Sequence, residues 1–181
     1  LGTDQSVVSV NIANTVVNEI KNGNDGIVVA AFGSSQVVAS FDACQVYDNE
    51  GAGISVMSSN SENRETDSWV GIKMQYCDLL HNDREGFIYF NPYGESTHTL
   101  DLGGGEFESE GFNRFIENGK EQGIYKTITA IRGDLSAKNN WWGSSEGVIQ
   151  FEGFYEPLDA CFSFLEESTL ISDPFLMEDP K

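Results

Sequence analysis

Two pairs of carboxylates recur with the same spacing along the chain. Asp48 and Glu50 stand two residues apart, and so do Asp83 and Glu85. Carboxylate oxygens are the ligands that Ca²⁺ prefers in proteins. If the two turns lie side by side in the fold, these four residues form a candidate Ca²⁺ site. The alternative is an ordinary solvated acidic turn, and nothing in the sequence requires a cofactor.

The charge of the chain excludes several classes of partner. Its 181 residues include 10 Lys and Arg against 29 Asp and Glu, which gives a formal net charge of −19. Nucleic acid and anionic lipid surfaces both need cationic side chains, so neither is an expected partner. No apolar run reaches the length of about 18 residues that a membrane span needs, and membrane insertion is not expected. The first residues show no signal peptide.

The elements that must position the carboxylates repeat along the chain. Four strand-like segments begin with a glycine, about 30 residues apart: Gly26, Gly53, Gly86 and Gly123. An asparagine turn precedes each of them: Asn22, Asn49, Asn82 and Asn118. Two more short β-like stretches follow each segment, without helical periodicity. This pattern predicts an all-β right-handed parallel β-helix of about five rungs, with three short strands per rung.

The predicted rungs occupy residues 1–143, and residues 144–181 form an irregular, aromatic C-terminal cap that packs on the same domain. In such a solenoid equivalent residues stack about 4.8 Å apart. The four turn asparagines are therefore expected to form a ladder in which each buried amide bonds to the neighbouring rungs. Trp141 and Trp142 are expected to cap the open end of the core.

The segment Ala137-Lys138-Asn139-Asn140-Trp141-Trp142-Gly143 resembles the closing box of right-handed parallel β-helix proteins of the pectin-lyase-like superfamily. The short strand Ile171–Leu176, which contains Pro174 and Phe175, resembles the ending that follows this box. The likeness covers roughly residues 6–176 and implies the β-helix fold. It also implies activity on acidic polysaccharides, in a groove along the outer face of the Gly-led sheet.

Strand alternation shows which residues face outward on that sheet. Ile27, Ile54, Phe87 and Ile124 are expected inside, which leaves no acid, base or amide on the outer rows, and no catalytic residue is assigned. Instead the alternation predicts an apolar stripe of Met57, Ile88, Phe90 and Tyr125. Three interpretations stay open: a glycan-stacking platform, an interface with a partner or second copy, or a face covered by the tail. Six tail residues have the apolar character to cover it: Phe151, Phe154, Tyr155, Phe162, Phe164 and Leu165.

Cys44 and Cys77 each lie five residues before a ladder asparagine and should stack in adjacent rungs. Their expected Cα separation lies within disulfide range. Free, buried thiols are the alternative and the more usual state of cysteines in such a core. Cys161 lies in the tail and has no partner on either reading.

Two functions follow from these observations. The first is a non-catalytic β-helix module of a secreted or cell-surface protein, which acts as a scaffold, adhesion or glycan-contact element. The second is a polysaccharide lyase or hydrolase whose site lies at the acidic turn or on rungs upstream of this chain. The expected partners are a polysaccharide or a protein, and an oligomer or a larger parent chain is compatible with the sequence.

Overall fold

The computed structural model describes residues 6–59, 68–91, 97–119, 126–131, 134–143, 149–152, 161–165 and 170–180. The side chains of four strand segments are excluded from this description: 126–127, 130–131, 149–152 and 161–165. Within the described residues every regular element is a β-strand. They contain no helix that is long and apolar enough to cross a membrane.

The strands form three parallel sheets. Sheet A contains β1 (Val7–Ala13), β4 (Gln36–Asp42), β7 (Trp69–Gln75), β10 (Thr97–Gly103), β13 (Leu135–Ala137) and β16 (Leu170–Ile171), in that order. Sheet B contains β2 (Val16–Asn18), β5 (Gln45–Tyr47), β8 (Asp78–Leu80) and β11 (Arg114–Ile116). Sheet C contains β3 (Ile27–Phe32), β6 (Ile54–Ser59), β9 (Phe87–Phe90), β12 (Lys126–Ile131), β15 (Cys161–Leu165) and β14 (Ile149–Glu152).

From β1 to β12 the chain visits the three sheets in turn, so strands that are neighbours in a sheet lie one coil apart. The all-β parallel β-helix with three strands per coil is therefore confirmed. The helix is shorter than expected, with about three turns instead of five.

Strand alternation separates the core from the surface. Ile54 and Val56 of β6 are buried, whereas Ser55 and Met57 between them are only half-buried. Registered pairing carries the inward row of sheet C from Ile54 to Phe87 and Ile128, all with no exposed surface. Burial of such side chains stabilises the fold by about 1.5–3 kcal/mol each. Sheet B contributes Val46, Leu79 and Phe115 to the same core.

Both corners of sheet B are built in the same way in successive coils. In each coil a residue with positive φ follows the end of a strand, and the side chain of the next residue points toward the core. Between sheets A and B the positive-φ residues are Asn14, Ala43, Tyr76, Phe112 and Asn139. Between sheets B and C they are Glu19, Asp48, His81 and Glu117. The positive-φ residues therefore stack in two columns along the outside of the solenoid, one at each corner.

The expected register of the fourth Gly-led strand is wrong. Ile128 pairs with Phe87, so the inward position belongs to Ile128 and not to Ile124. Ten residues separate Asn118 from Ile128, whereas five separate Asn82 from Phe87. An insertion at the turn leaves the stack intact, because it adds chain outside the sheets. Tyr125 itself lies outside the described residues.

The described parts of the C-terminal tail are more regular than the irregular cap that the sequence predicts. Its described parts contain β14 and β15, which extend sheet C, and β16, which extends sheet A. Strands that extend sheet C at its edge do not lie over its outer face. For these described segments the idea that the tail covers the apolar stripe is therefore wrong. Phe154 and Tyr155 lie outside the described residues.

Candidate functional site

Three of the four predicted ladder asparagines form one continuous chain of hydrogen bonds. Asn49 Nδ2 donates to Asn82 Oδ1 at 2.8 Å, and Asn82 Nδ2 donates to Asn118 Oδ1 at 2.9 Å. The same oxygens accept the backbone N–H of the preceding coil's ladder residue. All three side chains are buried, so the ladder satisfies amide groups that could not reach water.

Asn22 does not belong to this ladder. It is exposed and has a positive φ of 66°. The backbone N–H of Ile20 donates to Asn49 Oδ1, which puts Ile20 at the ladder position of the first coil. The turn between this position and the glycine is two residues longer there than in the next two coils. Counting back from the glycine therefore selects the wrong residue.

A second ladder runs along the corner between sheets A and B. The N–H of Cys44 donates to Cys77 Sγ, that of Cys77 to Asn113 Oδ1, and that of Asn113 to Asn140 Oδ1. Cys44 and Cys77 are both free and buried. Burial raises the pKa of the Cys77 thiol to about 12. Asn113 lies five residues before Asn118, the spacing that also locates the two cysteines, so the sequence carried a signal for this position.

The two tryptophans have different places at the end of the core. Trp142 is buried, and its ring stacks on Phe115 with 4.9 Å between the centroids. Trp141 is half-buried and pairs through its backbone with Arg114 of β11. Trp142 is thus a packing residue of the last coil and does not line any of the grooves described below.

The outer face of sheet C carries a groove of about 370 Å³, here called the sheet C groove. Its floor includes three residues of the predicted stripe, Met57, Ile88 and Phe90, all half-buried. Met57 pairs with Phe90, and Ser55 pairs with Ile88, so they occupy adjacent rows of the sheet. Thr129 takes the position beside Ile88 where Tyr125 was expected.

One side of the sheet C groove is polar. Asp25, Arg84 and Glu85 come from the corner that leads into the sheet, immediately before or near the leading glycines. Asp25 accepts hydrogen bonds from the Ser55 hydroxyl and from the backbone N–H of Ala52. Strand alternation alone had placed no acid or base on this face, because it considers only residues within the strands.

Glu85 is the most buried charged residue of this groove. Its exposed fraction is 9%, and its Oε1 accepts a hydrogen bond from Thr129 Oγ1 at 3.0 Å. Its Oε2 is buried and accepts no hydrogen bond within the described part of the chain. Arg84 Nε lies 3.5 Å from that oxygen. This oxygen is closed to solvent, so a ligand in the groove would meet Asp25 and Arg84 on the polar side.

The predicted Ca²⁺ residues divide between two grooves. Asp48, Glu50 and Asp83 line an acidic groove of about 420 Å³ at the corner between sheets B and C. Glu85 lies in the sheet C groove instead. In the acidic groove Lys21 Nζ lies 3.8 Å from Glu50, and His81 Nδ1 lies 3.7 Å from Asp48. Among the described residues no group of three or more His, Cys, Asp or Glu side chains is arranged to hold a metal ion.

A third groove, of about 680 Å³, lies beside β10 and β13. Thr97, Thr99 and Ser136 give it hydroxyl groups, and Lys138 gives it a cation. His98 accepts a hydrogen bond from the N–H of Asp134, and its ring lies 5.0 Å from that of Tyr89. Among the described residues no Phe, Tyr or Trp side chain lines this groove, which distinguishes it from the sheet C groove.

Comparison of the chain with family models, curated proteins and solved structures finds no match. The geometry of the grooves is therefore the basis for inferring function. Of the residues singled out from sequence, the sheet C groove brings together Met57, Ile88, Phe90 and Glu85. Asp25, Arg84 and Thr129 join them there without having been predicted.

Proposed function

We propose that this chain is a non-catalytic β-helix module that binds a neutral oligosaccharide in the sheet C groove. One observation carries the proposal: an apolar floor with an aromatic ring lies beside a polar wall of Asp25, Arg84 and Glu85. The CH faces of a sugar ring pack on Ile88 and Phe90, and its hydroxyls form hydrogen bonds with Asp25 and Arg84. Ligand sites commonly combine an apolar lining with a few placed polar groups in this way.

The charges favour a neutral ligand over an acidic one. Arg84 is the only basic residue that lines the described groove, and Glu85 lies close enough to neutralise it. Asp25 then leaves the groove with a negative charge, within a chain of net charge −19. A uronate carboxylate would meet repulsion here unless a cation intervened. The charge of the groove therefore favours neutral glycans over the acidic polysaccharides that the family resemblance implies.

The setting of the module is part of the proposal. The repeat pattern and the Asn140-Trp141-Trp142-Gly143 box support membership of the pectin-lyase-like superfamily, and glycan binding fits a secreted or cell-surface protein. In the described part of the first coil, Val8 and Val10 occupy inward positions yet remain 48% and 40% exposed. A partner, a second copy or a larger parent chain that covers these residues would complete the core.

The test is binding of the purified chain to a panel of neutral oligosaccharides (glucans, mannans, galactans) and to pectate and alginate, followed by calorimetry on the hits. Phe90→Ala should weaken binding about three- to tenfold, since it removes the aromatic contact. Phe32→Ser is the matched control, because Phe32 is exposed outside the groove and pairs with a serine, Ser59. Equal affinities of the two variants, or binding of acidic glycans alone, would contradict the proposal.

Hydrolysis of a neutral glycan is the second candidate, and the positions of Asp25 and Glu85 favour it. The backbone hydrogen bonds align Asp25 with Ala52 and Ala52 with Glu85. The two acids therefore lie two strand spacings apart, about 10 Å between Cα atoms. Inverting glycosidases hold their carboxyl groups about 6.5–9.5 Å apart. Turnover that Asp25→Asn and Glu85→Gln each reduce at least a hundredfold would establish this function over simple binding.

A further inference from the structure

Two exposed aromatic rings form a stacked pair at the corner between sheets A and B, outside all three grooves. Tyr76 and Phe112 lie parallel, with an interplanar angle of 6° and 5.7 Å between the centroids. Their exposed fractions are 43% and 37%. Both occupy the positive-φ position of their corner, at 56° each, which bulky residues seldom adopt. Asn14 occupies the same position after β1, and Asn139 occupies it after β13.

One face of this pair is open. The backbone N–H groups of Ala43 and Tyr76 donate to the carbonyls before Tyr76 and Phe112, so the three residues are equivalent in successive coils. Ala43 is exposed, and a methyl group cannot cover a phenol ring. The face of Tyr76 that is turned away from Phe112 is therefore accessible from the side of Ala43.

The surroundings of the Tyr76 ring are anionic. Glu110 accepts a hydrogen bond from the Tyr76 hydroxyl, and its own carbonyl accepts one from Asn139 Nδ2 at 3.2 Å. The pKa of Tyr76 is raised, first by the hydrogen bond to Glu110 and then by smaller contributions that include the charges of Glu110 and Asp42. Asp42 precedes Ala43 in the chain, so the two carboxylates flank the ring from adjacent coils.

We propose that this corner docks a basic polypeptide segment, with an arginine guanidinium stacked on Tyr76 and held by Asp42 and Glu110. A planar cation binds to an aromatic face through the ring quadrupole, and carboxylates at the rim add charge-assisted hydrogen bonds. The net charge of −19 draws a cationic partner toward the whole molecule. Charge complementarity thus selects an arginine-bearing segment over a neutral glycan at this site.

The experiment measures binding of a short oligoarginine peptide by calorimetry at physiological salt, with oligolysine of equal length for comparison. The test variants are Tyr76→Asn and Phe112→Asn, which keep the fold because asparagine occupies this corner in two other coils. Phe32→Ser is the control for loss of an exposed aromatic elsewhere. Circular dichroism checks that each variant is folded.

We expect Tyr76→Asn to weaken oligoarginine binding about two- to fivefold, while Phe32→Ser leaves it unchanged. Oligoarginine should bind more tightly than oligolysine, because the planar guanidinium stacks on a ring and the ammonium does not. Amide chemical shifts at residues 76 and 112 should move on titration. The proposal would be overturned if neither peptide binds or if both bind equally well. It would also be overturned if Tyr76→Asn and Phe32→Ser bind oligoarginine equally, or if only neutral oligosaccharides shift the amide signals at this corner.

Discussion

The backbone N–H of Cys44 donates a hydrogen bond to Cys77 Sγ at 3.4 Å, where the following coils use an asparagine oxygen. The two cysteines are therefore members of a ladder as well as small buried apolar residues. Only the Cys77 sulfur serves as acceptor for the backbone of a neighbouring ladder residue. The two thiols consequently contribute differently to stability.

Cys77→Ala should destabilise the protein more than Cys44→Ala. Removal of the Cys77 sulfur leaves the buried N–H of Cys44 without its acceptor, at a cost of about 1–3 kcal/mol in the free energy of unfolding. Cys44 is its matched control, because it is equally buried and its sulfur only donates, to carbonyls at 3.4 and 3.5 Å. Urea unfolding of both variants measures the difference, and equal losses would contradict a ladder role for Cys77.

Stability should fall as the pH rises above about 9. Burial raises the pKa of the Cys77 thiol to about 12 and that of the Tyr89 hydroxyl to about 12. Both groups are neutral in the folded protein and ionise more readily when it unfolds, so their contribution is complete at neutral pH. It is lost between the unfolded values, near 9 and 10, and about 12.

The measurement is the free energy of unfolding in urea at several pH values between 7 and about 11. Tyr89→Phe should reduce the slope above about pH 10, since it removes one of the two ionising groups. Ser58 is left without its contact to the Tyr89 hydroxyl in this variant, which lowers stability at all pH values but does not change the slope. An unchanged slope would show that Tyr89 does not contribute to the alkaline loss.

The asparagine ladder predicts a large contrast between Asn82 and Asn22. Asn82→Leu removes the acceptor for the Asn49 side chain and the donor to the Val46 carbonyl, which are both buried. Each unsatisfied group costs about 1–3 kcal/mol. Asn22→Gly, at an exposed position outside the ladder where glycine adopts the positive φ freely, should stay within about 0.5 kcal/mol of the parent protein. Thermal or urea unfolding distinguishes these outcomes, and a comparable loss in both variants would contradict the assignment of the ladder to Asn49, Asn82 and Asn118.

The contrast between these residues shows what the sequence could predict. Inward rows and the stack of coils followed from alternation and from recurring Gly-led segments, because a strand repeats every two residues and a coil must return to the same sheet. The turns could not be predicted in the same way. Their length varies freely outside the sheets, so Asn22 and Ile124 were placed from a spacing that only the middle coils keep.

The candidate site failed to emerge from the sequence for a related reason. The strands give its apolar floor, Met57, Ile88 and Phe90, directly. The polar wall comes from the corners before the strands, where alternation does not specify direction. Asp25 and Glu85 become neighbours of the floor only because their coils are aligned at the leading glycines. Thr129 reaches Glu85 because the register of β12 differs from the one expected.

Ca²⁺ should have little effect on thermal stability. In the acidic groove Lys21 and His81 already lie close to Glu50 and Asp48, and the fourth expected ligand, Glu85, lies elsewhere. We therefore expect the Tm to change little between EDTA and millimolar Ca²⁺. Mg²⁺ at the same concentration controls for general screening of the negative charge. A rise in Tm that is specific to Ca²⁺ and is lost in Asp48→Asn would contradict this expectation and establish a metal site.

Arg114 should fasten the C-terminal segment to sheet B. Its guanidinium lies 3.3 Å from Asp78 and 2.7 Å from Asp179, with only 13% of its side chain exposed. Burial acts to lower the pKa of Arg114, but the hydrogen bonds and charges of Asp179 and Asp78 outweigh it and raise the pKa.

Arg114→Met leaves the buried Asp78 carboxylate without its cation, and we expect a loss of about 3–5 kcal/mol. Asp179→Asn, at the more exposed partner, should cost about 1 kcal/mol or less and should speed proteolysis of residues 170–180 without unfolding the coils. Limited proteolysis measures the release of the tail, and urea unfolding measures the loss of stability. Equal losses of stability in both variants would show that the contact with Asp179, and not the pairing with Asp78, accounts for the stabilising effect of Arg114.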